Sequence, residues 1–276
     1  MSDSSVKNNI PRKKLTTKTL ITMKEKGEKI AALTAYDFLF ARYLEEAGID
    51  VVLVGDSLGN VVQGNPTTIS VTLDEMIYHA RLVRKSIKTA LMVVDLPFMS
   101  YHVDLKEAVR NCGRVMKETG CDAVKLEGGE RIAEVVQHLV NVGIPVMGHL
   151  GLTPQSINIF GTYVTRGTDP QEARKIHKDA KILQEAGCFA IVLEKIPSTL
   201  SRKITSSLKI PTIGIGAGIH CDGQILVTYD MLGMTEMFRP RFVRRYLDFA
   251  TLAKDSFRKY IRDVKEKKFP DKKESY

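Results

Sequence analysis

The chain has 276 residues, 43% of them hydrophobic, with a formal net charge of +9. No apolar run approaches the roughly 20 residues that span a bilayer, and the opening MSDSSVKNNIPRKK lacks the apolar centre of a signal peptide, so a cytoplasmic protein with no membrane partner is expected. The positive charge gathers at the two ends, the middle is slightly negative, and no arginines alternate there with aromatics along a groove; no nucleic-acid partner is expected.

Residues 1–15 read as a disordered polar tail, after which short β-branched runs alternate with longer helical patterns. The runs are IAALTAYD (30–37), VVLVGDS (51–57), LMVVDLP (91–97), AVKLEGG (123–129), IPVMGHLG (144–151), FAIVLEK (189–195), PTIGIGAG (211–218) and QILVTYD (224–230). They are nearly continuous in apolar residues, as strands buried on both faces are. Between them, patterns such as LDEMIYHARLVRKSI, LKEAVRNCGRVMKETG and DAKILQEAG repeat apolar residues at three and four, two of them ending at Gly120 and Gly187. From Arg239 onward the sequence reads as one or two amphipathic helices and a tail, with Phe242, Val243, Tyr246, Leu247, Phe249, Ala250 and Leu252 needing a cover.

Eight alternations predict an α/β chain folded as one (β/α)8 barrel domain over residues 1–276, with C-terminal helices over 239–276; a doubly wound open sheet is the alternative. The polar residues favour the barrel. Asp56 and Ser57, Asp95, Lys125 and Glu127, His149 and Glu194 fall at the C-terminal ends of separate strands, the face on which barrels build their sites. Lys125 and Glu127 lie two apart and so share a face, where burial of both charges is tolerable only with partners.

Each of these residues has a functional and a plain structural reading. Asp56, Asp95 and Glu127 together suit a hard dication such as Mg2+, or the aspartates cap the helices that follow. Lys125 could meet an anionic substrate or oxyanion, or bridge to Glu127 or Glu194; neighbouring acids keep it protonated and so oppose Schiff-base chemistry. Glu194 reads as a general base or as a partner for Lys125 or Lys195, and His149 as ligand, proton shuttle or structural donor. The GIGAG run (214–218) could approach a phosphate. Cys112, Cys121, Cys188 and Cys221 have no zinc or dithiol spacing and read as reduced, buried residues.

Taken in order, VGDSLG, DLPFM, VKLEGG, GHLGLTPQ, FAIVLE, IGIGAG and DGQILV resemble the ketopantoate hydroxymethyltransferase family, over about Thr16 to Pro270. The resemblance implies a barrel of the phosphoenolpyruvate/pyruvate type. It implies transfer of a hydroxymethyl group from 5,10-methylenetetrahydrofolate to 3-methyl-2-oxobutanoate, giving 2-dehydropantoate in pantothenate biosynthesis through a Mg-stabilised enolate. Carried over by residue, it implies that Asp56, Asp95 and Glu127 hold Mg2+ directly or through water. Asp56, Ser57, Asp95 and Lys125 would contact the keto acid, Lys125 would also serve catalysis, and Glu194 would accept the proton. A homo-oligomer, typically a decamer, is also implied. A Mg-dependent lyase or mutase acting on a 2-oxo acid in the same barrel group is the alternative; no cysteine here sits in a KKCGH-type loop. The chain departs from the family pattern at Thr162 and Val164 in FGTYV, and at Tyr229.

Overall fold

A computed structural model describes residues 12–236 and 239–276. Eight strands, β1 (Ile30–Thr34), β2 (Val51–Val54), β3 (Leu91–Asp95), β4 (Ala123–Glu127), β5 (Val146–Gly151), β6 (Ala190–Glu194), β7 (Thr212–Ile215) and β8 (Gly223–Leu226), close in sequence order into a barrel. Neighbouring strands run parallel, with helices in the connections. The open sheet is thereby excluded.

Strand alternation sorts the residues into core and site. Ala32, Val51, Leu53, Leu91, Val93, Ala123, Met147, Val192, Ile213 and Ile225 fill the barrel interior as one buried cluster. One step further along the same inward face stand Asp95, Lys125, His149 and Glu194. Leu20 enters this cluster from the helix Thr17–Lys26, which a Thr16–Thr19 capping box starts and Gly27, at φ 72, ends.

Helix limits follow their caps. Thr72 and Glu75 form a capping box for Leu73–Arg84; Asp104 caps Leu105–Thr119, which stops at Gly120 in the left-handed region. The first strand ends earlier than its sequence suggests, because Asp37 turns to accept the N–H groups of Leu39 and Phe40 and starts the helix Phe38–Glu46. The eighth strand is likewise shorter, since Thr228–Met231 already forms a helical turn.

The expectation for the N-terminal end needs correction, and at the C-terminal end one of the one or two expected helices forms, starting later than the pattern suggests. Of the expected polar tail, residues 1–11 lie outside the described residues, but residues 12–15 are tied to the barrel: Arg12 binds the carbonyls of Gly48 and Ile49 and pairs with Asp50, Lys14 pairs with Asp122, and the Leu15 N–H meets the Thr89 carbonyl. Past Arg239 the described residues form one helix, Phe249–Lys265, and residues 239–248 are not helical. Pro240 disfavours helix there, and Arg241, Arg244 and Arg245 would stack like charges at helical spacing. The chain forms two compact units, Met1–Ile225 and Leu226–Tyr276.

Candidate active site

The strand register assembles the site. It sets Asp95 beside Lys125, Glu127 beside His149 and Gly151 beside Glu194. Lys125 Nζ lies 2.7 Å from Asp95 Oδ1 and 3.7 Å from Glu127 Oε1. His149 continues the chain, with Nδ1 3.2 Å from Glu127 Oε1 and Nε2 3.2 Å from Glu194 Oε2. Five alternating charges thus run across the mouth from β3 to β6.

Asp56 joins them from the turn after β2: its N–H donates to Asp95 Oδ2 (3.2 Å), and its own Oδ2 accepts from Gln155 Nε2 (2.9 Å). The capping alternative therefore fails for both aspartates, whose carboxylates face each other's neighbourhood. Ser57 exchanges a hydrogen bond with Tyr36 Oη at 2.8 Å. Gly55 makes room for both groups, since a Cβ there would lie 2.8 Å from Ser57 Oγ and 3.4 Å from Asp95 Oδ2.

Asp56, Asp95, Lys125, Glu127 and His149 are all buried, whereas the Glu194 side chain keeps 16% of its exposure. Burial, then Asp95 and Glu127, push the Asp56 carboxyl well above the usual carboxylate range; burial also lifts Asp95 despite Lys125. For Lys125 burial opposes the charge, but Asp95, Glu127 and Asp56 outweigh it and favour the protonated ammonium, which opposes Schiff-base chemistry. Burial and Lys125 oppose charge on His149 too, yet Glu127 and Glu194 win and raise it to about 9. Glu127 is held low because His149, then Lys125, overcome its burial.

The partners differ in part from those expected. Lys125 bridges chiefly to Asp95, and Glu194 pairs with His149 instead of either lysine. Two further residues had no titratable signal in the sequence. Gln155, from the GLTPQ turn, donates through Nε2 to Asp56 Oδ2 and the Leu96 carbonyl, and through its N–H to Glu127 Oε2. Tyr101 Oη lies 2.9 Å from Gln155 Oε1 and accepts the Glu127 N–H at 3.0 Å. In the GIGAG run a Cβ on Gly218 would sit 2.3 Å from Ser198 Oγ, so this glycine serves close packing.

Four carboxylates in this cluster face only two basic side chains, a deficit that a dication would cancel. Asp95 Oδ1 is buried without a well-aligned hydrogen bond. Among the described residues no three side chains already form a metal cage. Mg2+ commonly takes one or two carboxylates and leaves its other positions to water and substrate oxygens. A cavity of about 690 Å3 lies beside the cluster, sharing Glu127 and Gln155 with it, and Asp56, Asp95, Lys125 and Glu194 do not line it.

The sequence pattern of the ketopantoate hydroxymethyltransferase family matches residues 14–272. The chain belongs to that family. It is 54% identical over 264 residues to a 3-methyl-2-oxobutanoate hydroxymethyltransferase of Bacteroides thetaiotaomicron, covering 96% of this chain and 97% of that one. Another from Christiangramia forsetii is 55% identical, with the same coverage. In fold the chain is similar to a phosphonopyruvate hydrolase solved with oxalate and Mg++ (TM-score 0.61, 12% identity, 94% and 93% of the two chains). It is also similar to 2,3-dimethylmalate lyase, a PEP mutase/isocitrate lyase superfamily member (TM-score 0.58, 17% identity, 95% and 89%). These last two support the barrel type alone. Membership in the ketopantoate hydroxymethyltransferase family makes the chain a transferase that places a hydroxymethyl group on 3-methyl-2-oxobutanoate.

Proposed function

We propose that the cluster at the barrel mouth is where this transfer occurs, with Glu194 as the base that takes the C3 proton of 3-methyl-2-oxobutanoate. The observation that carries the reading is the contrast among the acids: Asp56, Asp95 and Glu127 are buried and bonded within the cluster, and Glu194 stands partly open at its edge. An acid buried within the cluster has little room to meet a substrate proton; one at the rim, steadied by His149, can reach a substrate.

Asp56 and Asp95 would hold Mg2+, with Glu127 reaching it directly or through water. Bound there, the ion supplies Lewis-acid polarisation of the oxo acid, which makes its C3–H more acidic. Asp56, Ser57, Asp95 and Lys125 line the place for the carboxylate and keto oxygen. The Lys125 ammonium, held by Asp95, stabilises negative charge growing on the keto oxygen as Glu194 removes the proton. His149 orients Glu194 and links it to the Lys125–Glu127 pair. The carbon so activated forms the new C–C bond to the one-carbon unit of 5,10-methylenetetrahydrofolate; water supplies the hydroxyl oxygen as both C–N bonds of the methylene bridge break, and tetrahydrofolate leaves with its two nitrogens taking the C3 proton and one proton of the water. We further place the protein in the cytoplasm, as a homo-oligomer of the decameric kind that the resemblance implies.

Deuterium exchange at C3 of the oxo acid, without any one-carbon donor, tests this. Exchange should need a divalent ion and fall at least 100-fold in Glu194→Gln while the oxo acid still binds. Undiminished exchange in that variant removes Glu194 from the role.

A further inference from the structure

Lys195 follows directly on Glu194, and nothing in the reaction uses it. Its backbone lies at φ 47, in the left-handed region that a lysine rarely enters. Its hydrogen bonds continue the barrel one residue past the strand on one side and leave it on the other. The N–H donates to the Ile215 carbonyl on β7 at 2.8 Å, whereas the carbonyl accepts the Arg166 N–H at 2.9 Å. The side chain crosses to the same loop, where its ammonium binds the Tyr163 carbonyl.

That loop, residues 161–167, follows the short helix Ile157–Phe160 and carries the FGTYV departures Thr162 and Val164. Its far end is fixed. Gly167 is buried at φ 71, where a Cβ would strike Leu200 at 2.7 Å, and its N–H donates to Glu172 at 2.6 Å. Arg166 pairs with Glu172 and stacks over Phe160, 4.0 Å from the ring centroid. Residues 161–165 between these anchors are exposed. Tyr163 is the aromatic residue at their centre, and its carbonyl is the one that Lys195, next in the chain to Glu194, holds, which ties this part of the loop to the end of β6.

We propose that Lys195 is a positioning residue: a latch that holds loop 161–167, with Tyr163, against the end of β6, so that the one-carbon donor is gripped beside Glu194. The proposal rests on the reading of the site given above. The left-handed backbone has a purpose on this view, since it turns the residue after the base out of the strand and onto the loop. Proton removal, which concerns Glu194 and the oxo acid alone, should not depend on the latch; transfer, which needs the donor in place, should.

The test uses the full-length enzyme and compares Lys195→Met and Lys195→Arg with the parent. Chymotryptic cleavage after Tyr163 should be at least tenfold faster in Lys195→Met and near the parent rate in Lys195→Arg, which can still donate to the carbonyl. In Lys195→Met, kcat/KM for 5,10-methylenetetrahydrofolate should fall at least tenfold while C3 exchange stays within threefold. Lys195→Gly, which suits the left-handed backbone, replaces the Met variant should that one not fold. Unchanged cleavage overturns the latch. Faster cleavage with undiminished transfer, or with exchange and transfer lost together, overturns the positioning role. A parent enzyme that performs neither half-reaction would refute the site reading, and the cleavage rates would still decide whether the latch exists.

Discussion

Asp56 shows how the cluster trades stability for chemistry. Its carboxyl is buried against Asp95 and Glu127, and the single hydrogen bond from Gln155 does not offset that. A carboxyl whose folded pKa is raised binds its proton more tightly folded than unfolded. Its contribution is therefore greatest below the unfolded value of roughly 4 and is lost as pH rises through the folded value. In chelator at neutral pH, Asp56→Asn should accordingly stabilise the protein, by about 1–3 kcal/mol, because it deletes a buried charge. Added Mg2+ should raise the melting temperature of the parent and leave that of Asp56→Asn unchanged. The parent's response should weaken toward acid pH, where the proton competes for the same oxygens. Thermal melts in chelator and in Mg2+ across this range decide it; a destabilised Asp56→Asn that still responds to the ion would contradict the arrangement.

The strands deliver these groups through register, and here the limits of the sequence can be located. Lys125 and Glu127 are legible as inward-facing because alternation along β4 requires it, and the apolar runs of all eight strands are plain. The Glu127–His149–Glu194 connection is not legible, since it depends on which residues of β4, β5 and β6 stand side by side. Gln155 was hidden for another reason: it comes from the turn Pro154–Ser156, where no periodicity assigns a face. Residues 239–248 misled in the opposite direction, carrying apolar spacing without forming a helix. Gly151 makes the dependence on register testable. It lies at φ 94, and a Cβ would meet the Glu194 carbonyl oxygen at 2.2 Å and Ile196 Cγ2 at 2.7 Å. Gly151→Ala should cost roughly 3 kcal/mol through strain and forced separation of β5 from β6. C3 exchange should fall with it, as Glu194 leaves His149. Urea denaturation and exchange in the same preparation check both halves; a stable variant that is fully active would show that the close approach is not needed.

At the scale of the whole molecule, the C-terminal unit contains one long element with little to bury. Along the helix Phe249–Lys265 only Ala250 is buried, while Leu252, Phe257, Tyr260, Ile261 and Val264 are between 42% and 64% exposed. Phe257, Tyr260, Ile261 and Val264, spaced at three and four, draw one apolar stripe along the helix, with Lys254, Arg258 and Arg262 beside it. A monomer seldom presents such a stripe to water, and the helix carries much of the chain's positive end; a covering surface on a second copy would account for both its sequence and its exposure. Light scattering at micromolar concentration should give a mass that is a multiple of 30.8 kDa. The double variant Phe257→Glu, Ile261→Glu should shift that mass downward, because each charge would be buried without a partner. The Mg2+ response of the melting temperature should persist in the smaller species, since every group assigned to the ion lies between Asp56 and Glu127 in the barrel unit. A monomeric parent would refute the assembly, and an unchanged mass in the double variant would show that this helix does not form its interface.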